Sequence, residues 1–276
     1  MRTIVVVGAS LAGLSAAEGL RDGGFDGTIT IVGDEPHQPY DRPPLSKELL
    51  AGTWEVDRVV LRPDDHLDKL ALDWRLGRRA VSLDERLHLD DGSTVDFDGL
   101  VIATGAAPRT IPGTPALDGI YTLRTLDDCL ALRADLARSP TVAVVGAGFI
   151  GAEVAATCHG RGLDVTVIEA MPVPLERALG LDMGSACASL HSDHGVSVRY
   201  GVGVAGFEGN DRVERVVLAD GSSVEADVVV VGIGVAPVTG WLERSGVDVV
   251  DGVVCDATCA SVSRPDVVAA GDVARW

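Results

Sequence analysis

The chain has 276 residues and a mass of 28.6 kDa, which at ~100–200 residues per domain predicts two domains. Apolar residues make up 46% and charged residues 23%, with 33 glycines in no G-X-Y period, and this excludes a collagen-like chain, a disordered chain and a disulfide scaffold. The net charge of −18 repels phosphates and anionic lipid, which excludes nucleic acid and membrane surfaces as partners.

Met1 to Gly8 carries too short an apolar stretch for a secretory leader and no small-residue cleavage pattern. No run nears the ~20 apolar residues of a membrane helix. A cytoplasmic protein is expected. Thr3-Ile4-Val5-Val6-Val7 reads instead as a strand buried on both faces. It enters Gly8-Ala9-Ser10-Leu11-Ala12-Gly13 and then a helix carrying Leu14, Ala17 and Leu20 at helical spacing. Gly23-Gly24 ends that helix, and the strand Thr28-Ile29-Thr30-Ile31-Val32 follows. Leu89-Asp90-Asp91-Gly92-Ser93-Thr94-Val95 is a hairpin signal, leading into Gly99-Leu100-Val101-Ile102-Ala103-Thr104-Gly105.

The same order of signals then recurs. Thr141-Val142-Ala143-Val144-Val145 runs into Gly146-Ala147-Gly148-Phe149-Ile150-Gly151, a helix predicted from Ala152 to about Arg161, and the strand Asp164-Val165-Thr166-Val167-Ile168-Glu169. A second hairpin signal, Leu218 to Val224, leads to Asp227-Val228-Val229-Val230-Val231-Gly232-Ile233-Gly234. Strand–helix–strand alternation in two copies predicts an α/β protein with two Rossmann-like domains, parallel sheets flanked by helices.

Each copy opens with a dinucleotide fingerprint. Its first glycine makes the tight turn, its second lets the backbone approach a pyrophosphate, and its third lets helix and strand pack closely. The N–H groups of Leu11, Ala12 and Gly13, and of Phe149, Ile150 and Gly151, are the expected anion donors at the helix starts. Ser10 replaces the second glycine in the first copy, so a pyrophosphate there is expected slightly further out. An acidic residue ending the second strand should grip a ribose diol. In the second copy it is Glu169, 23 residues after Gly146; in the first it is Asp34 or Glu35, with Asp34 favoured.

Two dinucleotide sites in one chain suggest a flavin and a nicotinamide exchanging hydride. Ala103-Thr104-Gly105 and Ala270-Gly271-Asp272 resemble the second and third FAD signatures of flavoproteins with two dinucleotide domains. The segment Glu35-Pro36-His37-Gln38-Pro39-Tyr40-Asp41-Arg42-Pro43-Pro44-Leu45-Ser46-Lys47 resembles the FAD-dependent ferredoxin and rubredoxin reductases, the putidaredoxin-reductase-like family. The resemblance runs the length of the chain.

It implies an FAD domain formed by 1–110 and 236–276, with an NAD domain inserted at 111–235. Lys47 would reach the flavin and pair with Glu153. Arg42 would touch the FAD phosphates, Arg124 and Ala80 would add FAD contacts, and Gly271 and Asp272 would serve the ribityl chain. Gly232, Ile233 and Gly234 would line the NAD site. Members of that family continue into a third domain covering one side of the flavin, and this chain ends at Trp276, where that continuation is expected to begin. The resemblance implies a monomer or homodimer, reduced by NADH and passing single electrons to a ferredoxin or rubredoxin that serves an oxygenase. Rival expectations are an NADH oxidase, a monodehydroascorbate-type reductase, or a redox-sensing interaction protein.

The remaining polar residues refine this. Cys129, Cys158, Cys187, Cys255 and Cys259 are odd in number and contain no CxxC, so free thiols and no metal site are expected. No cysteine precedes Cys129, so no flavin-side thiol is expected to take the electrons. Glu169 would repel a 2′-phosphate, and Ala170, Met171 and Pro172 offer it no cation, so NADH is expected over NADPH. Arg75, Arg78 and Arg79 are a candidate basic docking patch. His191 and His194 read as a solvated surface pair.

Overall fold

A computed structural model describes residues 2–276. The chain divides into two compact units. The first comprises the chain through Asp41, Val59–Ala107 and Ala236–Trp276; the second comprises Arg42–Arg58 and Pro108–Val235. No helix among the described residues is long and apolar enough to cross a membrane.

The first unit is built on a five-stranded parallel sheet. Its order is Val267–Ala269, Gly99–Ile102, Thr3–Val7, Thr28–Gly33, Asp73–Leu76. The helix Leu11–Asp22 follows the central strand. Ile4, Val6, Ile29, Ile31 and Val101 pack with Ala17 on one face. Val5, Val7, Leu100 and Ile102 pack on the other against Leu83, Leu87 and Leu89 of an antiparallel ribbon, Ala80–Leu83, Leu87–Leu89 and Thr94–Val95. Helix on one side and ribbon on the other explain the unbroken apolar run of Thr3–Val7. A strand buried on both faces cannot alternate with polar residues.

The second unit repeats the plan. Its parallel order is Ile120–Tyr121, Val228–Val231, Val142–Val145, Val165–Glu169, Ser197–Tyr200. A ribbon of Val204–Gly209, Val213–Leu218 and Ser223–Glu225 lies under it, with Phe207, Val213, Val216 and Leu218 against Ala143, Val145, Ile168, Val229 and Val231. The outer strand is Ile120–Tyr121 here and Val267–Ala269 in the first unit, so one copy takes its edge from before the motif and the other from the chain's end. The fingerprint helix spans Phe149–Gly160, three residues earlier than predicted. Gly148 is its N-cap, so Phe149, Ile150 and Gly151 are already its first turn.

The segment 42–58 belongs to the second unit. Leu45, Leu49 and Leu50 are fully buried there, and three side chains from the helices Leu126–Leu136 and Phe149–Gly160 and the turn after it seize its backbone. Cys129 Sγ donates to the Leu45 carbonyl at 3.2 Å, Thr157 Oγ1 to that of Ser46 at 2.7 Å, and an Arg161 guanidinium N–H to that of Leu50 at 2.8 Å. Burial accounts for the leucines, and each carbonyl so bound escapes the cost of an unpaired buried acceptor.

A polar knot ties the same unit's edge strand, helix and ribbon. Asp135, 7% exposed, accepts from Tyr121 Oη at 2.5 Å and from the Arg212 guanidinium. Burial pushes the Asp135 carboxyl up, but the hydrogen bonds from Tyr121 and Arg212 outweigh it and hold the group below its ordinary 3.8. Burial and the Asp135 hydrogen bond push the Tyr121 hydroxyl up to about 12. A carboxyl depressed on folding stabilises fully above its unfolded value and loses that contribution as pH falls through the folded one. Asp135→Asn is therefore expected to cost about 3 kcal/mol at neutral pH, the usual penalty for breaking a buried pair. The deficit should shrink below pH 3.8, as urea unfolding at a series of pH values would measure; a deficit constant with pH would contradict the assignment.

Candidate functional site

Each fingerprint is a cradle made by backbone packed on backbone. In the first, Gly8 turns at φ 124°, and a Cβ there would lie 2.0 Å from the Ala103 carbonyl oxygen. A Cβ on Gly13 would lie 1.8 Å from the Gly8 oxygen. In the second, Gly146 turns at φ 103°, with its notional Cβ 2.4 Å from the Gly232 oxygen, and Gly151's would stand 1.9 Å from the Gly146 oxygen. Only glycine fits at these four positions.

The middle position differs. A Cβ on Gly148 meets nothing within 4 Å, and its backbone is extended (φ −77°). Ser10 is extended too (φ −121°) and makes no capping bond with its side chain. The serine is thus accommodated because the position opens to the ligand side, and its hydroxyl remains available there. The first helical bonds run from Leu14 N to the Ser10 oxygen and from Ala152 N to the Gly148 oxygen, both 2.9 Å. The N–H groups of Leu11, Ala12 and Gly13, and of Phe149, Ile150 and Gly151, come before them. Three forward-pointing amides and the positive end of a 12-residue helix suit a pyrophosphate in each cradle.

The strand ends beside each cradle match in place. Ala103 N donates to the Val7 oxygen and Gly232 N to the Val145 oxygen, both 2.7 Å. Thr104 Oγ1 donates to the Val238 carbonyl at 2.8 Å, and Val238 N to that of Gly105 at 2.9 Å. Ile233 and Gly234 (φ 100°) extend the second copy's strand in the same way. Gly271 (φ 76°) would bring a Cβ to 2.9 Å from Ala12 Cβ, so Asp272 follows a turn packed on the first helix's opening turn. Ala80 starts a ribbon strand with its methyl in the core, 8% exposed, which leaves its backbone as the part able to meet a ligand.

The two acids are not equivalent. Glu169 ends its strand with Oε2 accepting from Ala147 N at 2.7 Å and Oε1 from Met171 N at 2.9 Å. In register, Gly146 N bonds the Ile168 oxygen as Gly8 N bonds that of Val32. Gly33, not an acid, therefore stands where Glu169 does. A Cβ on Gly33 would lie 2.5 Å from Ala9 Cβ, so a side chain there is shut out and the first copy's acids fall one and two residues later. Asp34 is exposed and lies 4.0 Å from Arg79 Nε; Glu35 accepts from the Tyr40 hydroxyl.

Within the second unit, Lys47 and Glu153 come together. Lys47 Nζ lies 2.7 Å from Glu153 Oε2. Arg42 donates to the Arg124 carbonyl at 2.5 Å, and Arg124 N to Asp128 Oδ2 at 3.0 Å. Thr125 and Asp128 form the capping box of the next helix, so the two arginines are set at a rigid helix entrance. Arg75, Arg78 and Arg79 do not form a free basic patch: they pair with Asp73 at 3.2 Å, Asp91 at 2.8 Å and Asp34 at 4.0 Å. Burial pushes the Cys129 thiol up to about 11 and the Cys158 thiol to about 12, so both stay protonated and poorly nucleophilic at neutral pH.

Comparison with known proteins shows the family. A family model described as pyridine nucleotide-disulphide oxidoreductase matches residues 2–276. The rhodocoxin reductase of Rhodococcus erythropolis is 39% identical over 279 residues, covering 99% of this chain and 65% of that protein. The biphenyl dioxygenase system ferredoxin–NAD(+) reductase component of Paraburkholderia xenovorans is 41% identical over 279 residues, covering 99% and 68%. Among solved structures, the covalent putidaredoxin reductase–putidaredoxin complex matches with a TM-score of 0.94 and 33% identity, covering 99% of this chain and 68% of that one. The chain spans about two thirds of the length of these relatives.

The cradle geometry makes a sharp contrast testable. Gly151→Ala should cost about 3 kcal/mol, because the colliding oxygen belongs to the backbone and cannot rotate away. Gly148→Ser, which copies Ser10, should leave the thermal midpoint unchanged. Calorimetry of both variants decides, and equal destabilisation would refute the cradle geometry.

Proposed function

This chain belongs to the pyridine nucleotide-disulphide oxidoreductase family, and on that premise we propose that it is an NADH-dependent flavoprotein reductase that passes electrons through FAD to a ferredoxin or rubredoxin serving an oxygenase. The observation that carries this reading is the pair of equivalent pyrophosphate cradles in one chain. The first unit holds FAD and the second NADH. The relatives named above as reductases of a rhodocoxin and of a dioxygenase system support the choice of an iron–sulfur carrier as the electron acceptor.

When bound, the flavin supplies the means to take a hydride from NADH and give its electrons up singly. The chain's own residues bind and orient. Amides of Leu11, Ala12 and Gly13 would hold one pyrophosphate, and those of Phe149, Ile150 and Gly151 the other. Asp272 would serve the ribityl hydroxyls of FAD. Glu169 has each oxygen occupied by one backbone N–H. A carboxylate oxygen accepts about two bonds, so one acceptor site per oxygen is left for the two ribose hydroxyls. The same charge repels a 2′-phosphate, which selects NADH.

Lys47 would present an ammonium that favours negative charge on the flavin ring, and Glu153 would keep that ammonium placed. No cysteine precedes Cys129, and the Cys129 thiol is buried and held protonated. No thiol relay between the flavin and the carrier is therefore proposed.

The test is an anaerobic NADH titration of the purified chain supplied with FAD. The visible flavin band should bleach stoichiometrically and recover on adding an oxidised iron–sulfur carrier. Glu169→Ala should bind NADH roughly tenfold more weakly, the scale of losing a hydrogen bond to a charged group, while NADPH binding holds or improves. No bleaching with FAD bound would defeat the reading, and recovery only with oxygen or a quinone would turn it to an oxidase.

A further inference from the structure

Lys47 and Glu153 are 40% and 35% exposed. An ion pair that open to water contributes little and does not hold two long side chains in one geometry unaided. The structure supplies what holds them. Ser46 is one of the few buried polar residues, 5% exposed. Its hydroxyl donates to Glu153 Oε2 at 2.6 Å, the same oxygen that meets Lys47 Nζ. Lys47 Nζ in turn reaches the Ser46 oxygen at 3.4 Å and the Pro43 carbonyl at 3.0 Å. An ammonium has three N–H groups, and these three acceptors match them.

Ser46 is itself fixed from the other side. Thr157 lies one helical turn after Glu153 on the helix Phe149–Gly160, so the two share a face. Thr157 Oγ1 donates to the Ser46 carbonyl at 2.7 Å, while Glu153 takes the Ser46 hydroxyl. One helix face thus grips one residue by both its backbone and its side chain.

We propose that Ser46, seated by Thr157, is the positioning residue of the Lys47–Glu153 ion pair. It acts through that pair and not on the flavin. The proposal deepens the reductase reading, on which the pair's role in flavin reduction rests.

The sequence makes a direct test practicable, because Lys47 and Lys69 are its only lysines. Lys69 pairs with Asp65 in full exposure, at 75% and 74%, and serves as the internal reference. In the purified chain labelled with 15N-lysine, proton exchange of the Lys47 ammonium is expected to be slow relative to that of Lys69. Ser46→Ala should speed it about tenfold, the scale of losing a hydrogen bond to a charged group. Ser46→Thr should restore it to near the parent rate, and Thr157→Val should speed it by a smaller factor.

NADH-driven flavin reduction gives the second readout. Ser46→Ala should lower kcat with NADH KM and FAD affinity unchanged, and Ser46→Thr should rescue it. Unchanged ammonium exchange in Ser46→Ala overturns the proposal whatever the activity. If that variant does not fold, unchanged exchange in Thr157→Val does the same. Slow reduction in Lys47→Ala beside parental reduction in Ser46→Ala also overturns it. Parental reduction in Lys47→Ala, by contrast, removes the pair from the reductase reading while the exchange data still decide whether Ser46 positions it.

Discussion

The contact on which both units depend is between backbones. Gly8 rests on the carbonyl of Ala103 and Gly146 on that of Gly232, while Gly13 and Gly151 rest on the carbonyls of those same first glycines. A side-chain clash can be eased by a change of rotamer, but a collision with a carbonyl oxygen moves the chain. The distance between helix start and sheet is therefore set by the absence of four Cβ atoms. With that distance fixed, the first-turn amides point past the strand ends, where an open α/β sheet binds its ligands.

The constraint spreads outward through burial. With a helix on one face and a ribbon on the other, the central strands have no polar face, so charge is confined to strand ends. At the entering ends Asp98 accepts from the backbone N–H of Thr3 at 2.9 Å, and Asp227 from that of Thr141 at 2.9 Å. At the leaving ends stand Thr104 and Glu169. The acids of the entering ends pin neighbouring strands in register. The groups of the leaving ends, freed from that task, are the ones open to ligand chemistry.

Much of this could be read from residue order alone. The apolar runs at Thr3–Val7 and Val142–Val145, the glycine turns and the paired hairpin signals disclose both copies, because each is a local pattern with a local cause. Ser46 was not legible as more than part of a motif, since its partners Glu153 and Thr157 lie over a hundred residues away in sequence. The allegiance of 42–58 to the second unit was hidden for the same reason. Leu45, Leu49 and Leu50 announce a buried face but not what buries it. The charges of Arg75, Arg78 and Arg79 were visible, as was Asp73 two residues before Arg75, whereas Asp34 and Asp91 are brought to Arg79 and Arg78 by strand pairing and turns.

The two copies also differ at the strand end beside the turn. Register equates Gly33 with Glu169, and the consequence is geometric. At Glu169 the side chain leaves the strand beside the turn and is braced by Ala147 N and Met171 N, so its carboxylate is set before any ribose arrives. At Gly33 the facing Ala9 methyl closes that exit. The first copy's acids, Asp34 and Glu35, stand further along a chain already leaving the sheet, and Glu35 is engaged by Tyr40. A braced carboxylate beside the turn discriminates sharply against a phosphate on the ribose. On the proposed reading, its removal to a looser position would give up that discrimination, which would matter little for FAD, whose ribose carries no such phosphate. The strictness of each site thus follows from whether a single Cβ fits against the second residue of its turn.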